Sequence, residues 1–201
     1  MPRVSPAVPA APGEPARSTA DHILDVAGTL FYQRGFAATG VDLVVRESGV
    51  AKMTLYRHFP SKDDLIAAWL ERVDTQFWQS FEAWAGAETR PARDRLLGVF
   101  AGLEKLVGSS RCLGCPFLLA ASEFPEPGTR AHIVARRHKS RLRERLRAMA
   151  AQAGALDADA LGDQLLLLMD GAFMAARLFG VDDPPSRHVA AAAVALVGAP
   201  R

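Results

Sequence analysis

Very little in this chain points to a secreted, stapled or membrane-borne protein. Only 2 Cys occur among 201 residues, too few for a disulfide framework. No basic start leads into an apolar run with a small-residue cleavage site, so no secretory leader is expected. No uninterrupted apolar stretch reaches the ~20 residues of a spanning helix. No membrane partner is therefore expected, and the cytoplasm is the expected compartment. The formal net charge is only +2, so any sign of nucleic-acid binding must be local rather than global. Strand alternation and internal repeats are missing. So are a nucleophile with its base, a carboxylate pair and a phosphate-cradling loop, which leaves a helical enzyme as the weakest reading and implies no cofactor.

What is present is helical periodicity on a sizeable apolar fraction, 49%. Residues 1–16 are rich in Pro and Ala with almost no large apolar side chains, and are expected to form a disordered tail. From Ser18 onward, Ile23, Leu24, Ala27, Leu30 and Phe31 recur at helical spacing. Ser18 or Thr19 can cap that helix and Gly35 can end it. Two short helices follow, over about 41–47 and 52–58, broken by Ser48-Gly49-Val50 and stopped by Pro60. Thr39 can cap the first of them. Ser61 opens a long helix whose stripe runs Ile66, Trp69, Val73, Phe77, Phe81 and Trp84. Further helices are expected at about 91–107, 115–123, 129–152, 158–179 and 185–198. The predicted class is all-α.

Two short helices joined through a glycine turn make a helix-turn-helix. Val41, Val44 and Val45 can face inward, with Val50 and Leu55 as the apolar plug holding the two helices together, while Lys52, Thr54, Tyr56, Arg57 and His58 point outward. These outward residues are donors and aromatics suited to phosphates and base edges.

The run from Gly49 through Lys52-Met53-Thr54-Leu55-Tyr56-Arg57-His58-Phe59-Pro60 to Leu65 closely resembles the recognition helix and following segment of the TetR (tetracycline repressor) family. So does the entry Phe31-Tyr32-Gln33-Arg34-Gly35-Phe36-Ala37-Ala38-Thr39. The resemblance is specific over about 18–70 and architectural beyond. It implies an N-terminal three-helix DNA-binding domain (17–63) and a C-terminal helical domain (64–201) for ligand binding and dimerisation. Its DNA-binding positions are Thr39, Gly40, Lys52, Met53, Thr54, Tyr56, Arg57, His58 and Lys62. Tyr56, His58 and Lys62 would meet the backbone, and Arg57 a guanine edge. Gly40, Val44, Ala51 and Met53 depart from the family's usual residues, so the operator sequence is not legible. The implied function is a ligand-responsive repressor that binds palindromic operator DNA as a homodimer. Helices four and seven would transmit between its domains.

The dimer is expected through helices near 158–179 and 185–198, because Leu165-Leu166-Leu167-Leu168-Met169 is apolar all round. For a small apolar or amphipathic effector, the candidate lining is Phe100, Leu103, Leu106, Cys115, Phe117, Leu118, Met169, Asp170, Phe173 and Met174. Asp170 needs a partner, which Arg177 or a cationic ligand could supply. Cys112-Leu113-Gly114-Cys115 carries the alternative of a redox- or metal-sensing repressor. Only His132 and His138 lie near enough in sequence to add ligands, so no metal site is assigned. The basic run from Arg136 to Arg147 reads as a solvated helix face rather than a second DNA surface.

Overall fold

A computed structural model describes residues 18–182 and 184–198; the tail expected over 1–16 lies outside them. The described residues form α1 (Thr19–Arg34), α2 (Val41–Ser48), α3 (Lys52–His58), α4 (Lys62–Ala85), α5 (Ala92–Val107), α6 (Pro116–Glu123), α7 (Arg130–Gln152), α8 (Ala158–Phe179) and α9 (Val189–Gly198). Among them there is no strand.

The helix ends follow local chemistry. Ser18 Oγ accepts from Asp21 N at 3.1 Å, and Ser61 Oγ accepts from Asp64 N at 3.1 Å. Each satisfies one orphan donor of a first turn. Gly49 ends α2 in the left-handed region at φ 70°, where a Cβ would be strained. Phe59 and Pro60 close α3. Pro116 starts α6, where its missing N–H costs nothing. Two expectations are corrected. Thr39 does not cap α2; Gly40 stands at that position, with no side-chain cap. The Thr39 hydroxyl turns inward and donates to Gly35 O at 2.8 Å. The last expected helix is divided, with a 3₁₀ turn over Pro185–His188 ahead of α9.

One aromatic cluster joins the N-terminal helices to the rest. The Phe36 ring lies 5.3 Å from Phe31, 5.7 Å from Trp69 and 5.7 Å from Phe124. Two indoles of α4 seat on glycines. A Cβ on Gly28 would come within 2.1 Å of the Trp69 ring, and one on Gly102 within 2.1 Å of Trp84. Hence α1 and α5 approach α4 as closely as backbone allows.

The basic helix α7 runs beside α4 and exchanges charges with it in register. Arg130 pairs with Asp64, Arg137 with Glu71 and Arg145 with Glu82, and between them His138 makes a hydrogen bond with Asp74. On its other side Arg143 and Arg147 both grip Asp163 of α8. Those two guanidinium groups hold the Asp163 carboxyl far below the usual carboxylate range. The arginine run is therefore largely an inter-helix ion-pair lattice rather than the solvated face expected, because carboxylates of α4 and α8 lie on both sides of it.

Candidate nucleic-acid interface and ligand cavity

The helix pair α2–α3 is held from inside by Val44 and Leu55, both buried, with Val50 half-buried at the turn. That anchoring leaves the opposite side of α3 free. Met53 is 81% exposed and Tyr56 38%; Lys52, Arg57 and His58 are also exposed, and Thr54 is half-buried. An apolar Met standing this far into solvent has no packing role in the free protein. Lys52 Nζ lies 2.7 Å from Asp42 Oδ1, and that carboxylate holds the lysine above its ordinary pKa. Reaching a phosphate would mean exchanging this partner. Lys62 Nζ donates to Ala37 O at 3.4 Å, which keeps it beside the turn between α1 and α2. Gly40 is exposed with open space around its Cβ position. Thr39, by contrast, is fully buried, so its side chain is turned away from this surface.

Below this unit lies a cavity of about 590 Å³ that α1 itself helps to wall. α1 contributes Gly28, Thr29 and Tyr32, and α4 contributes Trp69, Arg72, Phe77 and Trp84. The segment before α6 supplies Arg111, Cys112 and Cys115; α7 and α8 add His138, Lys139 and Phe173. Of the expected lining, Leu106, Cys115, Phe117 and Phe173 are there. Phe100, Leu103 and Met169 are instead fully buried in the core, because their side of each helix packs on neighbouring helices. Leu118 is half-buried elsewhere, and Met174 is 47% exposed on the outer side of α8. Asp170 is not a lining residue: it pairs with Lys139, while Arg177 donates to Leu113 O at 2.7 Å.

Sequence reasoning missed three features. His138 is 2% exposed. Its ring stacks flat on Phe117 at 3.6 Å, and its Nδ1 lies 2.6 Å from Asp74 Oδ1. Burial pushes its imidazolium down, against Asp74 and with Lys139 and Arg141 adding repulsion, so the ring is neutral at pH 7. The Tyr32 hydroxyl donates to Gly114 O at 2.7 Å and accepts from Leu113 N at 2.9 Å. Glu123, at the end of α6, accepts from Phe36 N at 3.1 Å and Ala37 N at 2.6 Å. The segment 112–123 thus borders the cavity and is tied twice to the α1 end of the helix-turn-helix. Glu123 was visible only as part of the Glu123-Phe124-Pro125 run. Tyr32 belonged to the aromatic entry motif, which gave no hint of an inward hydroxyl.

Cys112 and Cys115 are both free and buried. Burial pushes the Cys112 thiol up, so it is protonated at neutral pH. Among the described residues no cluster of three or more His, Cys, Asp or Glu could hold a metal, and no helix is long and apolar enough to cross a membrane.

Comparison with known proteins agrees with this geometry. The family model for bacterial regulatory proteins of the tetR family matches residues 23–69. A TetR-family transcriptional regulator from Streptomyces coelicolor is 30% identical, with 90% of this chain and 92% of that chain covered and a TM-score of 0.80. This chain belongs to the TetR family of transcriptional regulators. A second TetR-type regulator, from Streptomyces avermitilis, is 32% identical, covering 88% of this regulator and 98% of that chain with a TM-score of 0.72. The HTH-type transcriptional repressor ComR of Escherichia coli is 29% identical over 128 residues, 63% of this chain. The match spans about three fifths of that curated relative, 61% of its length. The regulator therefore carries a DNA-binding helix-turn-helix at its N-terminus on an all-helical TetR-like fold, and its relatives are regulators rather than enzymes.

Proposed function

We propose that the protein is a homodimeric repressor that reads a palindromic operator through α3 and is released by a small amphipathic effector in the cavity between α1, α4, α6 and α7. One observation carries this reading: the cavity and the DNA-facing unit share the segment 112–123, tied to α1 by Tyr32 and to the α1–α2 turn by Glu123. An effector shifts DNA affinity only if it favours one arrangement of these parts over another. A ligand entering beside Cys115 and Phe117 meets the same segment that holds the helix-turn-helix. We divide the chain near residue 63, with DNA reading before it and effector binding and dimerisation after it. The α4–α7 ion-pair ladder is a second route for transmission.

Dimerisation is supported by the outer face of α8 and α9. Leu167 is 72% exposed and Leu178 77%, beside exposed Phe179 and Val194. Soluble monomers rarely leave such a contiguous apolar face uncovered. Gly171 has open space at its Cβ position, which suits close helix approach. Two recognition helices about one DNA turn apart would then read a palindrome. On this surface Tyr56, His58 and Lys62 position the backbone. Arg57 reads a guanine, Met53 meets a thymine methyl, and Lys52 and Thr54 take flanking contacts, with Gly40 allowing close approach.

The redox-sensing alternative rests on Cys112 and Cys115 sharing the cavity wall, but a thiol kept protonated by burial is a slow nucleophile. Operator affinity that is the same for oxidised and reduced wild type, and unchanged in Cys112→Ser and Cys115→Ser, would eliminate it. The proposal itself is tested by selecting duplexes from a randomised pool. Enrichment of an inverted repeat, bound by a dimer in sedimentation, is expected. Recovery of no preferred sequence would refute it.

A further inference from the structure

The charges on the cavity wall define the ligand more narrowly than its size does. Four lining residues are of the acidic or basic types that carry formal charge: Asp25, Arg72, Arg111 and Lys139. Arg72 Nη1 lies 2.9 Å from Asp25 Oδ1. Lys139 pairs with Asp170, both largely covered. His138 is neutral and directed to Asp74. Arg111 has no ion-pair partner among the described residues, so the wall carries one uncompensated positive charge.

The neutral polar groups are spent in the same way. Thr29 Oγ1 donates to Asp25 O at 2.9 Å and Ser80 Oγ to Gln76 O at 3.0 Å. Tyr32's hydroxyl is used in both directions. The neutral groups that stay open are the Gln76 side-chain amide and the Trp69 and Trp84 indole N–H groups, which line the cavity with no hydrogen-bond partner among the described residues. Much of the remaining wall is aromatic, with Phe77, Trp84, Phe117 and Phe173 beside the aliphatic Val73, Leu106 and Leu142.

We propose that the cavity takes an aromatic monoanion, a carboxylate carried on fused or linked rings, with Arg111 meeting the acid. The rings lie against the aromatic wall, where offset and edge-on contacts add to apolar burial. A guanidinium matches a carboxylate through two parallel N–H donors. Arg111 immediately precedes Cys112-Leu113-Gly114, whose Leu113 N–H and Gly114 carbonyl hold Tyr32. An anion drawn to Arg111 therefore acts on the loop that clamps α1. The assignment rests on the effector role proposed for this cavity and adds the chemical class of its occupant.

The test is calorimetric titration of the full chain, without DNA, at pH 7 and low salt. The probes are 2-naphthoate, neutral 2-naphthylmethanol and cationic 2-naphthylmethylamine. The acid is expected to bind about tenfold tighter than the alcohol, as one charge-assisted pair at an exposed arginine allows, with the amine weakest. Arg111→Gln is expected to bring the acid down to the alcohol's level and leave the alcohol unchanged, while Arg111→Lys restores part of the preference. Circular dichroism checks that each variant is folded. An alcohol or amine that binds as tightly as the acid, an acid preference that survives Arg111→Gln, or no binding of any probe at millimolar concentration would overturn the assignment. Acid binding that leaves operator affinity unchanged would uphold it and refute instead the release step proposed above.

Discussion

Replacing Glu123 by Gln removes one charge from the structure and asks how strongly segment 112–123 holds the DNA-reading unit. The carboxylate accepts from two successive backbone N–H groups, Phe36 at 3.1 Å and Ala37 at 2.6 Å. Hydrogen bonds to a charged acceptor contribute about 1.5–3 kcal/mol each. Glutamine keeps one acceptor oxygen, loses its charge, and turns a donor toward the second N–H. One bond is lost and the other weakened at a half-exposed site, so a loss of about 2 kcal/mol is expected. With a urea m-value of about 2 kcal/mol/M, the unfolding midpoint should fall by about 1 M. Protein concentration must be fixed, because a dimer's apparent stability depends on it. Freed from its anchor, the turn 35–40 must be ordered when DNA binds, and operator affinity should fall about tenfold. Gly35→Ala attacks the same contact from the other side. Gly35 sits at φ 87°, and a Cβ there would lie 2.8 Å from Glu123 Oε1. Combined, the two substitutions should cost less than their sum, since they break one interaction. A midpoint shift below about 0.2 M with unchanged operator affinity would refute the clamp; the expected shift is about five times larger.

Three further outcomes follow from the same structure. Burial lowers the His138 pKa to about 4, from about 6.5 in the unfolded chain. A depressed pKa contributes stability above the unfolded value and loses it as pH falls from about 6.5 to about 4, up to about 3 kcal/mol here. Urea midpoints of His138→Gln should lack this acid slope, and an identical slope in the variant would place the titration elsewhere. The double variant L167E/L178E puts charges on the exposed face of α8; sedimentation should show monomer at micromolar concentration with native circular dichroism, and a persistent dimer would move the interface elsewhere. Lys62→Ala should weaken specific and random DNA alike and lower the salt slope by about one; unequal losses would show that it reads sequence.

Much of the fold was legible because helix boundaries are local chemistry. Ser18, Ser61 and Pro60 mark ends through caps and a missing N–H, and the structure places α1, α3 and α4 where those residues indicate. Thr39 misled because its hydroxyl had two possible backbone partners, and burial selected Gly35 O over a cap. The final helix is divided into a 3₁₀ turn over Pro185–His188 and α9, a break that residue type does not announce, since proline suits the first turn of an α-helix as well. The α3 face was readable from residue types, since Leu55 alone in that helix is apolar at an inward position and buried. The cavity was not. Leu103 and Leu106 lie one turn apart on α5, yet only Leu106 reaches the cavity; which residue does so depends on how α1, α4 and α7 pack. Asp170 found Lys139 rather than Arg177 for the same reason: a partner on another helix is set by tertiary register.

The most direct test of the central claim, that the exposed face of α3 reads sequence, is fluorescence anisotropy on the selected duplex and on its scrambled counterpart with wild type and Arg57→Ala. Wild type is predicted to prefer the selected duplex by at least about a thousandfold at physiological salt. Arg57→Ala should lose about 1–3 kcal/mol on that duplex and change little on the scrambled one. Equal losses on both duplexes, or a wild type that binds the two alike, would contradict the account.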